Sequence, residues 1–150
     1  MVNRKLWMGM LVMALVFGMM VVGCDEGSTV EPHNITITEL GGKTGNGAIL
    51  LYTYFSASGD GVVAGWQGTF SGNSVTASLQ GKGGGAWAGS GQHHILILIG
   101  DDLYAYTNGQ TLEQLGIATE NDLYSKLPKY NITGSTTTIA FDKFLDASDI

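Results

Sequence analysis

Length, composition and charge limit the number of domains, the partners and the source of stability of this chain. Its 150 residues suffice for one domain with a single hydrophobic core. With 13 acidic and 7 basic residues it carries a net charge of −6, which argues against nucleic acid as a partner. Cys24 is the only cysteine, so an intrachain disulfide is excluded and stability must come from hydrophobic burial.

Residues 1–23 predict a secretory signal peptide. Arg4 and Lys5 precede an apolar run, Leu6–Gly23, that ends on a small residue. A membrane-spanning helix is the alternative, because this run of 18 residues is at the lower limit for crossing a bilayer. No basic stop-transfer cluster follows it; Asp25 and Glu26 follow instead. Removing the leader would leave five basic and 13 acidic residues, a net charge of −8.

The segment that ends the leader resembles the lipobox of bacterial lipoproteins, whose pattern is aliphatic-x-small-Cys. Val21, Gly23 and Cys24 occupy its defining places, although Leu is commoner than Val at the first. The resemblance implies that diacylglycerol is attached to Cys24, that the chain is cleaved before it, and that the new amino terminus is acylated. Two or three fatty-acyl chains such as palmitate, at about 0.8 kcal/mol per buried CH₂, would hold the protein on a membrane. The alternative is an ordinary free thiol at Cys24.

The rest of the chain divides into a tether, residues 24–33, and one β-rich domain, residues 34–150. Short apolar runs and alternating runs recur about every ten residues, with turn signals between them. This pattern predicts an all-β, mainly antiparallel sandwich of about eight strands, with a small β-barrel as the alternative. The clearest strands are Asn34–Leu40, Ala48–Phe55, Val62–Phe70, Ser74–Gln80, Trp87–Ile99, Leu103–Thr107 and Ser135–Phe144.

The run Trp87–Ile99 predicts a central strand covered on both sides. Ile95 and Ile97 fall on one face and Leu96 and Leu98 on the other, so both faces are apolar.

Two tryptophans begin similar short patterns 21 residues apart. Trp66-Gln67-Gly68-Thr69 and Trp87-Ala88-Gly89-Ser90 share the order Trp-x-Gly followed by a hydroxyl residue. An internal duplication or a pair of similar strands explains this equally well. Glycines at 65 and 68 inside a strand indicate a bulge or a close approach of backbone.

Residues 111–127 predict a short helix, or two helical turns, inserted between strands. Thr111 and Gln114 have the spacing of a capping box, and Pro128 would end the element. Gly116 argues against a longer helix. The apolar residues at mostly helical spacing are Leu112, Leu115, Leu123 and Leu127.

The order of motifs along the domain resembles small β-rich domains of spirochaete (Treponema-like) surface lipoproteins. The motifs that carry this resemblance are Ile35-Thr36-Ile37-Thr38-x-Leu40, Trp87-Ala88-Gly89-Ser90-Gly91 and Thr138-Ile139-Ala140-Phe141-Asp142-Lys143-Phe144. They cover most of residues 34–144 and are structural. The resemblance implies a β-rich domain and carries over no catalytic residue.

No motif predicts a catalytic, metal or cofactor site. His93 and His94 are adjacent on a strand and point to opposite faces, while His33 lies in the predicted tether. A zinc site would need carboxylates brought in by the fold, and a polar start to the strand is the favoured interpretation. Asp101-Asp102 lacks the spacing of a calcium loop. The glycine-rich segment Gly81–Gly85 is followed by a strand and not a helix, which favours a hairpin loop over a phosphate site.

Aromatic residues on strands are the remaining candidates for ligand contact. Tyr104 and Tyr106 share one face of their strand. A face lined by such rings could stack on sugars or grip a peptide, but aromatics also fill the cores of sandwiches, and the core is the favoured interpretation. The predicted ligand-facing residues are Trp66, Trp87, Tyr104 and Tyr106.

The sequence therefore predicts a lipoprotein of the bacterial cell envelope, periplasmic or on the cell surface, attached to the membrane through Cys24. Its domain is expected to be a non-enzymatic binding or structural unit, with a glycan or a protein as ligand. The alternative is an envelope hydrolase or a carbohydrate-active enzyme without a recognisable motif.

Overall fold

The computed structural model describes residues 31–54, 61–81, 85–119, 122 and 125–146. The predicted signal peptide, Cys24 and most of the predicted tether lie outside these residues. So do residues 55–60 and 82–84, which include parts of two predicted turns. No helix within the described ranges is long and apolar enough to cross a membrane.

Strands dominate the described residues, and the prediction of an all-β fold is confirmed. One short helix, α1, spans Leu112–Leu115, and a 3₁₀ turn spans Phe141–Lys143. The ten strands within the described ranges are β1 (Asn34–Thr38), β2 (Gly45–Tyr52), β3 (Val62–Phe70), β4 (Val75–Ser78), β5 (Gln80–Gly81), β6 (Gly91–Ile99), β7 (Asp102–Tyr106), β8 (Tyr130–Ile132), β9 (Thr136–Ala140) and β10 (Phe144–Asp146).

The strands form two sheets. The small sheet has the order β4-β1-β9, and the large sheet has the order β10-β7-β6-β2-β3-β5, with β8 pairing the start of β6. Pairing is antiparallel except between β1 and β9, which run parallel with Asn34 opposite Thr136. The described strands do not close into a barrel.

The chain crosses from the small sheet to the large one at both margins. At one margin β4 leads through Leu79 directly into β5, and at the other β9 leads through the 3₁₀ turn into β10. Leu79 and Phe144, which lie at these two crossings, are both buried. The chain therefore joins the two sheets along both lateral edges of the sandwich.

The space between the sheets holds the first of two hydrophobic cores. Alternate residues of β1 and β6, such as Ile35, Ile37, Ile95 and Ile97, point into it, as the two-residue period of a strand requires. The residues between them on β6 face the other way. Leu96, for example, is buried in a second core on the far side of the large sheet. The prediction that this central strand is covered on both faces is confirmed.

The predicted helical insertion is also confirmed. Thr111 caps α1: its hydroxyl accepts from the amide of Gln114 at 3.1 Å, and its own amide donates to the Gln114 side chain at 2.9 Å. Gly116 ends the helix in the left-handed region, with φ of 72°. Asp122 and Lys126 belong to further helical residues before Pro128.

A small polar network closes the insertion on itself. The ammonium of Lys126 donates to the carbonyl of Gly116 at 2.8 Å and lies 3.2 Å from a carboxylate oxygen of Asp122. The other Asp122 oxygen accepts from the amides of Ala118 and Thr119. These hydrogen bonds, led by the two amides, lower the pKa of Asp122 to about 2.

The insertion covers the second core. Ile117 and Leu127 are buried against Leu50, Leu96 and Leu103 of the large sheet. The molecule therefore has three layers: the small sheet, the large sheet and the insertion.

Candidate functional site

Trp66 lies half-buried on β3, and its side chain lies along the same strand. A Cβ placed on Gly68 would overlap the indole ring, so the ring lies directly over this glycine. Trp66 also meets Phe70 edge to face, with ring centroids 5.5 Å apart. Because Trp66, Gly68 and Phe70 share one face of β3, the indole seals the margin of the first core.

Trp87 repeats this arrangement. A Cβ on Gly89 would lie 2.6 Å from the Trp87 ring. The indole meets His33 and His93 edge to face, with centroids 6.1 and 5.5 Å apart. The two Trp-x-Gly patterns therefore share a local packing mode, in which an indole covers the glycine two residues later.

Tyr104 and Tyr106 lie in the first core. They are 5% and 7% exposed, so they do not form the open aromatic face that a ligand-stacking role needs. Phe141 packs on Tyr104, with centroids 4.8 Å apart, and Phe144 packs on Tyr106. The ammonium of Lys43 lies 5.4 Å from the centre of the Tyr104 ring and covers it further.

His33 corrects the predicted extent of the tether. It is 1% exposed and belongs to the domain. Its Nδ1 donates to the carbonyl of Gly134 at 2.9 Å, and its Nε2 lies 2.7 Å from the hydroxyl of Thr137. Its backbone amide and carbonyl bond to Trp87 and Leu79. These contacts were not predicted, because the side-chain partners lie 101 and 104 residues away in the chain.

His93 and His94 lie on opposite faces of β6, as the sequence predicts. His93 donates from Nδ1 to the carbonyl of Gly91 at 3.1 Å, and burial lowers its pKa. His94 is 5% exposed beneath the insertion. Burial first, and then the charge of Lys129, lower the pKa of His94 to about 4, although a hydrogen bond to the Pro128 carbonyl opposes this. Both imidazoles are therefore neutral at pH 7.

The histidines and acidic residues of the described ranges form no metal-binding group. No three His, Cys, Asp or Glu residues there lie close enough together to hold a metal ion. The histidines instead bond to backbone carbonyls of the fold. Tyr52, opposite His94 in register, is buried in the second core, and burial raises its pKa.

The outer face of the small sheet is exposed or partly exposed to solvent. Its hydroxyls and amide form cross-strand pairs: Thr36 and Thr76 lie 3.0 Å apart, and the Ser78 hydroxyl donates to Asn34 at 2.7 Å. We call this surface the hydroxyl face; its residues are Asn34, Thr36, Thr38, Thr76, Ser78, Thr136 and Thr138.

The candidate residues predicted from the sequence are aromatic or ionisable and do not include the hydroxyl face. The alternation of Ile35 and Ile37 with Thr36 and Thr38 nevertheless predicts a strand with one apolar face and one hydroxyl face.

No family model, curated protein or solved structure matches this chain.

Proposed function

We propose that this protein is a lipid-anchored component of the bacterial cell envelope. The observation that carries the proposal is the charged start, apolar run and Val-Val-Gly-Cys ending of residues 1–24. The domain begins at His33, only nine residues after Cys24, so the anchor would hold it close to the membrane surface. The resemblance to Treponema-like surface lipoproteins points to the same location.

We propose further that the domain is a non-enzymatic binding or structural unit. Support comes from the histidines, which are the usual general bases near neutral pH. His33, His93 and His94 are all buried, and each bonds to a backbone carbonyl of the domain. Their chemistry is used to hold the sandwich together.

The hydroxyl face is the surface we propose for ligand contact, with a neutral glycan as the ligand. Its seven residues carry no charge, and hydroxyl and amide groups both donate and accept hydrogen bonds, which matches a polyhydroxyl partner. An anionic partner would be repelled by the net negative charge. A protein partner would more often meet aromatic or arginine residues, which this face lacks.

The anchor is tested by metabolic labelling with palmitate in a bacterial host. The full-length chain should incorporate label and partition into detergent, and Cys24→Ala should abolish both. Equal labelling of the two proteins would contradict the anchor.

The ligand is tested on an array of neutral glycans with detergent-solubilised, full-length protein. The double variant Thr36→Lys, Thr138→Lys should lose binding, because it places two ammonium groups on the hydroxyl face. Gln67→Lys, an exposed position on β3, is the matched control and should bind as the wild type does. Binding that survives the double variant, or binding only to protein probes, would overturn the glycan proposal.

A further inference from the structure

The outer edge of β3 is open over five residues. On its inner side, β2 pairs with β3 from Val62 to Phe70. On the outer side, β5 is the one partner among the described strands, and it pairs only with Ala64 and Gly65. The segment Trp66–Phe70 therefore has one paired side and one side whose backbone groups meet no other described strand. We call this outer side the open edge.

Gln67 and Thr69 are the residues of this segment whose backbone groups point outward. In an antiparallel pair, each residue directs its N–H and C=O to one side of the strand, and its two neighbours direct theirs to the other. The amide of Gly100, just after β6, donates to the carbonyl of Asn46 at 2.9 Å, so Asn46 faces β6. Thr69 lies opposite Asn46 and consequently faces away from β2. Gln67, two residues earlier, faces the same way.

The open edge is symmetric about Gly68. β5 covers β3 up to Gly65, three residues before Gly68, and β3 has ended at Ser71, three residues after it. Two copies of the segment, laid antiparallel with Gly68 opposite Gly68, would overlap over its whole length, and Gly65 of each copy would face Ser71 of the other. In this register Gln67 lies opposite Thr69 in both directions, so the outward residues of each copy exchange hydrogen bonds with those of the other.

The open edge lacks the features that commonly keep sheet edges from pairing. Exposed edges are usually protected by charged side chains, especially lysine, or by proline. Residues 62–70 contain no charged residue and no proline, whereas β10, at the opposite end of the large sheet, carries Asp146. The net charge of −6 makes two copies repel each other. An uncharged edge is therefore where a second copy can approach.

Trp66 supplies an apolar contact at this edge. Its indole packs against the first core but is only half-buried, so part of the ring is exposed beside the open edge. In the antiparallel register Trp66 lies opposite Phe70 of the second copy, and the two indoles lie on the same face of the joined sheet. Tryptophan is among the residues that contribute most to binding at protein interfaces.

We propose that two copies of this chain associate through the open edge, with Trp66–Phe70 of each copy paired antiparallel and Gly68 on the two-fold axis. The two large sheets become one continuous sheet, and the contact closes because both copies use the same surface. The paired segment is short, so the dimer is weak in solution. Anchoring both copies in one membrane would raise their effective concentration; that step rests on the proposed lipid anchor, whereas the pairing does not.

Sedimentation equilibrium of the full-length protein in density-matched detergent tests the pairing. The wild type should dimerise as its concentration rises. Gln67→Pro removes an outward N–H from each copy and leaves the pairing with β2 intact, so it should weaken dimerisation about tenfold or more. Gln67→Ala, the matched control, keeps the amide and should dimerise as the wild type does. A monomeric wild type, or equal dimerisation of the proline and alanine variants, would overturn the proposal.

Cross-linking tests the same edge even if Gln67→Pro does not fold. In a Cys24→Ala background, an introduced cysteine is the only one in the chain. A short thiol-specific cross-linker should join two copies of Gln67→Cys, because the Cβ atoms of diagonal residues in such a pair are about 7–8 Å apart. Thr138→Cys, an exposed position on β9 at the edge of the small sheet, is the control and should not be joined. Cross-linking that is absent at position 67, or equal at positions 67 and 138, would refute the dimer.

Discussion

The two hydrophobic cores of this domain are built in different ways. The core between the sheets takes its side chains from strands distant in sequence, such as β1 and β9. The core beneath the insertion combines strand residues of the large sheet with Ile117 and Leu127. The first depends on long-range pairing, whereas its counterpart is covered by a segment folded largely through local hydrogen bonds. One sheet can therefore carry two cores of unequal stability.

The extent of burial indicates which core is weaker. Among the described residues, 17 are buried between the sheets and 8 are buried in the second core. The insertion adds to the second core the buried Ile117 and Leu127 and the partly buried Leu112 and Leu115. We therefore expect it to open before the sandwich unfolds.

The largest effect is expected from Phe70→Ala. Phe70 is fully buried between the sheets, where it also supports Trp66, so truncation leaves a cavity. Unfolding in urea, followed by tryptophan fluorescence, should show a loss of about 3–5 kcal/mol. The exposed control Gln67→Ala should change stability by less than about 0.5 kcal/mol. A loss below about 1 kcal/mol for Phe70→Ala would contradict the view that the core between the sheets is the main source of stability.

Ile117→Ala should have a smaller effect confined to the insertion. Its side chain is buried in the second core but belongs to the insertion and not to a strand of the sheet. We expect the free energy of opening for residues 112–118 to fall by about 2 kcal/mol, measured by hydrogen exchange. If global stability fell as far as in Phe70→Ala, the two cores would form one cooperative unit and would not differ in stability.

Gly68→Ala tests how the first core is sealed. The new methyl group would press on the indole of Trp66, so about 1–2 kcal/mol of stability should be lost and tryptophan emission should change. The same substitution in a Trp66→Leu background is the control, because no ring remains there to be displaced. An equal cost in both backgrounds would mean that the contact with Trp66 is not the cause.

The smallest effect is expected from Thr111→Ala. Losing the cap should cost about 1 kcal/mol, seen as faster exchange of the Gln114 amide. Thr111→Ser keeps the hydroxyl and should behave as the wild type. Equal exchange in the alanine and serine variants would show that the capping box does not stabilise the insertion.

The sequence predicted the features that depend on neighbouring residues. Two-residue alternation located β1 and both faces of β6, and the spacing of Thr111 and Gln114 located the cap of α1. These signals are local, because a strand's period and a helix's first turn are set by residues a few positions apart.

Features that depend on distant contacts were not predictable. No residue near β1 in the chain indicates that β1 pairs in parallel with β9. No residue near His33 indicates that its imidazole forms hydrogen bonds with Gly134 and Thr137. The same limit applies to Tyr104 and Tyr106, since an aromatic strand residue has the same pattern whether its face is covered or open. Only the topology decides between a core residue and a ligand contact.

The position of β1 has a mechanical consequence. The chain enters the domain at His33 and continues into the middle strand of the small sheet, paired on one side with β4 and on the other with β9. A pull on the amino-terminal end therefore runs along β1 and loads both ladders in shear, together with the His33 contacts. An anchor placed before this strand would transmit force into the middle of the sheet, where many hydrogen bonds must break together before the strand can be withdrawn.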